Sequence, residues 1–199
     1  MLAIRTVIHC ICAAAFGLLA AACTVAPTQN QWPEITYKHR PPLRFDVGQV
    51  VIDKRYSEPL APPNVEHLIP VPPAALAGQW ARDRLVAAGS VGRLVYTIVD
   101  ASVVETPLDT KSGIEGLFTV DQSERYEAHL AVQVHLEDIP GLARASVTAE
   151  AERWVTVPED ATLNEREATW FALSEALMND LDVELERALY QYMAAHILN

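Results

Sequence analysis

Cysteine is nearly absent from this 199-residue chain: Cys10, Cys12 and Cys23 are the whole complement, and all three lie within the first 23 positions. A disulfide framework or a cysteine-based zinc site in the body of the chain is thereby excluded. Positive charge is also scarce. There are 15 Lys+Arg against 26 Asp+Glu, a net charge of -11 at pH 7. So acidic a chain lacks the basic surface that phosphate neutralisation needs, and no nucleic-acid partner is expected. Eight glycines and 13 prolines rule out a collagen-like or low-complexity chain. The familiar catalytic signatures are missing too, with no G-x-S-x-G, Walker A, H-E-x-x-H or G-x-G-x-x-G. What remains is a chain 50% apolar and 21% charged, the composition of one globular domain with a targeting segment.

That segment is residues 1–22. Arg5 is its only charged residue, positions 7–19 are mostly apolar, and the run closes on Ala20-Ala21-Ala22 before Cys23. A short basic start, an apolar stretch and small residues at the cleavage point describe a secretory signal. The run falls short of the roughly 20 apolar residues of a comfortable membrane span. Leu19-Ala20-Ala21-Ala22-Cys23 resembles a bacterial lipobox. The resemblance implies cleavage between Ala22 and Cys23, with Cys23 becoming the acylated N-terminus. Each buried CH₂ is worth about 0.8 kcal/mol, and two or more chains suffice for stable anchoring. Thr24, rather than Asp, follows the cysteine, which under the bacterial sorting rule favours the outer membrane. An ordinary cleaved signal and an uncleaved anchor helix are the alternatives.

Residues 23–40 are polar and proline-bearing and read as the acylated N-terminus and a flexible tether. Residues 41–199 read as a single periplasmic α+β domain. Alternation of Leu43, Phe45 and Val47 predicts a strand over 43–53, with a slip near Gln49. Six prolines between 54 and 73 predict a loop. Residues 74–88 predict a helix whose apolar face carries Leu76, Trp80, Ala81 and Leu85, with Arg82, Asp83 and Arg84 mostly away from it. Strands follow at 93–105, 126–137 and 144–157, the last with a bulge at Arg153-Trp154. A helix is predicted over 163–198, opened by a Thr162/Glu165 capping box and bent near Asn179-Asp180. The order β-α-β-β-β-α predicts a largely antiparallel four-stranded sheet with two helices packed on one face.

With Cys23, the proline-rich stretch Ile69-Pro70-Val71-Pro72-Pro73, the helix around Trp80 and the long C-terminal helix, this plan resembles the ABC-type transport auxiliary lipoproteins of Gram-negative bacteria. More distantly it resembles the LPS-assembly lipoprotein. The resemblance implies a non-enzymatic protein with no catalytic residues to carry over.

Residues that could carry chemistry are few. His129 and His135 share the wet face of one strand, but six positions along a strand is about 20 Å, too far for one metal. No metal or other cofactor is expected. Acids two apart, Glu150 with Glu152 and Asp180 with Asp182, read as solvated. Trp80, Trp170 and Phe171 read as core. Trp32, in the tether, is a candidate for the membrane interface or a partner. The expectation is a lipid-anchored accessory or scaffold subunit of an envelope transport or assembly system, held in the outer membrane by its acyl chains. Its partner would be a transporter component or an outer-membrane protein. Glu127, His129, Gln133 and His135 form the candidate partner-binding face. A lipid- or amphiphile-binding module, with a slot between helices and sheet, is the alternative.

Overall fold

Two glycines decide how the chain enters its sheets. A Cβ on Gly48 would lie 2.9 Å from the carbonyl oxygen of Ser90, and one on Gly89 would lie 2.7 Å from the backbone of Asp46. Two segments therefore cross in contact, and the strand predicted over 43–53 is broken there. It becomes β1 (Leu43–Phe45) and β2 (Gln49–Lys54), which belong to different sheets. The computed structural model describes residues 32–109, 121–141 and 145–198. The signal, Ala22 and Cys23 lie outside the described residues.

Helix α1 (Pro73–Arg84) starts with proline at its first position, where no backbone N–H is needed. It stops earlier than predicted, because β3 (Leu85–Ala87) leaves it to pair in parallel with β1. The strand predicted over 93–105 is also two, β4 (Arg93–Asp100) and β5 (Val103–Pro107). The long strand β6 (Gln122–Glu137) accepts both on one edge: β4 pairs along its second half and β5 along its first. Strand β7 (Ser146–Pro158) runs antiparallel along the other edge. β2 adds in parallel to β4. The main sheet thus has five strands and mixed direction, correcting the expected four-stranded antiparallel one. A second, three-stranded sheet joins β3, β1 and β8 (Ile197–Leu198). Local patterning did not disclose β8, which exists only because residues far apart in sequence pair.

Helix α2 (Leu163–Met193) opens with the predicted capping box, Thr162 and Glu165 each satisfying the other's backbone N–H. It runs without a break past Asp180, then passes through a 3-10 turn into β8. Leu173, Leu177, Leu181, Leu185 and Leu189 form its buried stripe. Burying each such side chain contributes about 1.5–3 kcal/mol. Both helices pack on one face of the main sheet. Trp80 of α1 stacks on Tyr96 of β4 at 5.8 Å, and Trp170 of α2 meets Tyr126 of β6 edge-on at 5.4 Å.

Two further expectations change. The bulge at Arg153-Trp154 is absent: Ala128 pairs with Arg153 and Glu127 with Trp154 in step, and the register shift falls between Gln122 and Glu124. Alternation fails at 153 because Arg153, on the helix side, bonds Asp180 of α2. Residues 32–40, expected in the tether, are held to the domain. Asp83 accepts from Thr36 Oγ1 at 3.0 Å and from the Tyr37 N–H at 2.9 Å. Tyr37 is buried, and Trp32 stacks on Phe171 at 5.0 Å.

Candidate docking surface

The pleat of β6 sends Tyr126, Ala128, Leu130, Val132, Val134 and Leu136 into the core. Its other face carries Arg125, Glu127, His129, Gln133, His135 and Glu137, all half-buried. The four candidate residues therefore share one face, opposite the helices, as the alternation predicted. Cross-strand register adds to this face Thr97 and Val95 from β4 and Glu150, Glu152 and Trp154 from β7.

The ionisable groups of β6 on this face are each paired. Glu127 ion-pairs with Arg125 at 2.6 Å. The His129 ring meets Asp100 at 3.1 Å, and the His135 ring meets Glu137 at 2.8 Å. Glu137 also accepts from Arg93 at 2.8 Å. The His135 bond first, then that of Arg93, keeps the Glu137 carboxyl below the usual carboxylate range. Arg125 lies over the ring of Trp154, 4.6 Å from its centroid. The result is a fixed pattern of polar side chains around a small apolar floor of Val95 and Ala131. Such a surface can recognise a protein by complementary charge and shape. Among the described residues no group of three or more His, Cys, Asp or Glu side chains could hold a metal ion.

The space between helices and sheet is filled. Trp80, Tyr96, Tyr126, Leu130, Leu177 and Met178 are fully buried there. Apolar space opens instead on the surface, in a trough of about 450 Å³ between α2 and β7. Ala168, Thr169, Ala172, Leu173 and Ala176 line its helix side, and Arg153, Trp154 and Val155 its strand side. Sequence reasoning missed this trough. Its signal was the repeat of alanine every fourth position on α2.

A second omission is a buried charge cluster joining the helices. Arg84, expected on the outer side of α1, is completely buried. It ion-pairs with Glu186 at 3.2 Å and faces Asp182 at 3.8 Å. Arg40 bonds the same two carboxylates. The i,i+4 pairs Trp80/Arg84 and Asp182/Glu186 were the available clue. Two guanidinium and two carboxylate charges balance there and clamp the helices and residue 40 together, with the buried Arg84 nitrogens held by charge and not by hydrogen bonds.

No family profile matches the sequence, and no curated protein sequence matches it. Among solved structures the chain is similar to rare lipoprotein B from Shewanella oneidensis, with 13% identity over 70% of this chain and 92% of that one and a TM-score of 0.38. It is also similar to a Xanthomonas campestris protein of the DUF330 family, at 11% identity over 75% and 85% of the two chains and a TM-score of 0.32. A third likeness is to PelC from Paraburkholderia phytofirmans, solved as a dodecamer, at 15% identity over 76% and 93% and a TM-score of 0.25. Among the described residues no helix is long and apolar enough to cross a membrane.

Proposed function

We propose that this chain is a non-enzymatic, lipid-anchored periplasmic subunit that docks a component of a cell-envelope transport or assembly system. Cys23 supplies the anchor in the outer membrane, and the open face of the main sheet supplies the docking surface. The observation that carries this reading is the one-sided packing of the fold. Both helices cover one face of the sheet, and the other keeps Glu127, His129, Gln133 and His135 in fixed positions without a covering element among the described residues. The filled interior supports a docking role over an amphiphile slot. The mechanism is positional: lipid holds the domain at the membrane, and the face selects the partner.

The test is co-purification from native membranes after in-cell crosslinking, with a C-terminal tag and mass spectrometry of the companions. A transporter component or outer-membrane protein is expected. It should be lost in the double variant His129→Ala, Gln133→Arg, provided the variant's circular dichroism is unchanged. Recovery of the protein alone, while a control complex is captured, would contradict the proposal.

A further inference from the structure

Strand β7 lies at the border of the main sheet, and its outer edge has no strand partner among the described residues. The register shows which of its backbone groups face outward. The N–H of Leu136 donates to the carbonyl of Ala145. In an antiparallel ladder, hydrogen-bonded and non-bonded pairs alternate. Odd-numbered residues of β7 therefore bond inward to β6, and Thr148, Glu150, Glu152 and Trp154 turn their N–H and C=O groups outward. No backbone bond to these groups comes from another described segment.

The surroundings of this edge are two-sided. On the helix side lies the apolar trough, floored by Ala168, Ala172 and Ala176. A strand laid along β7 would place every second side chain in it. On the open side, Glu150, Glu152 and Trp154 stand exposed in a row. Neighbouring side chains on an added strand would meet two carboxylates and an indole. A second copy of this chain fits poorly. Full antiparallel pairing of β7 with itself would set Glu152 opposite Glu152, and a shift of one pair would set Glu150 opposite Glu152 in one direction or Arg153 opposite Arg153 in the other, which like-charge repulsion disfavours.

We infer that the β7 edge accepts an extended segment of another protein, in which small or branched apolar residues alternate with Lys or Arg. The apolar residues fill the trough, the basic ones face Glu150 and Glu152, and main-chain bonds extend the sheet. The inference goes beyond the docking face proposed above: it adds a main-chain contact along the sheet edge, which adjoins that face and shares Glu150 and Glu152 with it.

The test uses the full lipidated chain in nanodiscs of neutral lipid and a short synthetic peptide in which valine and lysine alternate. Amide hydrogen exchange is read across the chain. Expected is saturable protection, with exchange slowed roughly tenfold or more over β7, and no change on β4. The same peptide with its ladder-forming amides N-methylated should protect nothing. The charge reversal Glu150→Lys, Glu152→Lys should weaken binding by about tenfold or more. No protection at saturating peptide would overturn the inference, as would equal protection by the N-methylated peptide. Protection of β7 that rises with protein concentration in the absence of peptide would assign the edge to a second copy and overturn it equally. Protection of β7 by the peptide and its loss on N-methylation are read without the open-face partner, whose capture is tested at His129 and Gln133, so the two proposals fail separately.

Discussion

The indole N–H of Trp80 donates to Asp182 at 2.6 Å, joining α1 to α2 across 102 residues of sequence. The same carboxylate faces the fully buried Arg84, whose guanidinium also lies 5.8 Å from the Trp80 ring. Removing one member of a buried ion pair leaves the rest uncompensated, at a cost of about 3–5 kcal/mol. Arg40 stays to share the carboxylates, so Arg84→Met should lower stability by about 3 kcal/mol. Urea unfolding followed by tryptophan fluorescence measures it. A loss below about 1 kcal/mol would show that Arg40 alone suffices.

Glu66 is the other buried carboxylate among the described residues. Burial by itself would raise its pKa, but bonds from the Tyr56 hydroxyl at 2.5 Å, the Val103 N–H at 3.1 Å and Asn64 outweigh that and hold it below 4.5. The unfolded chain therefore takes up this proton first as pH falls. The stabilisation is complete above about pH 4.5 and is lost as pH drops through the depressed folded value. Glu66→Gln should cost about 1.5–3 kcal/mol at pH 7. The gap to the native chain should narrow below pH 4.5. Denaturation midpoints of both proteins across pH 3–7 test this, and a constant gap would refute it.

Trp32 bears on the tether. Its stacking on Phe171 holds the stretch expected as tether to the domain from residue 32 onward. Trp32→Ala removes an aromatic pair worth about 0.5–1.5 kcal/mol beyond its buried area. Limited proteolysis should then cut before residue 40 at least several-fold faster, with the melting temperature of the rest little changed. An unchanged cleavage rate would mean that the Tyr37 and Arg40 contacts hold the segment alone.

Gly89→Ala tests the crossing of the two sheets. The new Cβ would fall 2.7 Å from the Asp46 backbone, on a rigid neighbour. Overpacking of this kind costs about 1–3 kcal/mol. Thermal unfolding should show a clear drop in midpoint, and none would mean that the crossing relaxes freely.

The elements that declared themselves in sequence are those whose signal is local. The alternation of β6, the capping box at Thr162 and the leucine stripe of α2 arise from residues a few positions apart, and each corresponds to an observed feature. What stayed hidden depends on distant partners. β1, β3 and β8 are two or three residues long and exist by pairing with one another. Arg84 is buried because Asp182 and Glu186 lie on another helix. The shared face of Glu127, His129, Gln133 and His135 was legible because side-chain period 2 fixes it. The edge of β7, without a strand partner among the described residues, was not, since an edge is a property of the whole sheet.

The central claim is that the open sheet face meets a partner at the membrane. A photo-crosslinking amino acid placed at Gln133 tests it in living cells, with the same group at Tyr192 on the exposed side of α2 as the control. One discrete protein adduct is expected from position 133, absent from position 192 and lost in Cys23→Ser, which removes the proposed acylation site. Equal adducts from both positions, or none from 133 while the protein is lipidated and folded, would contradict it.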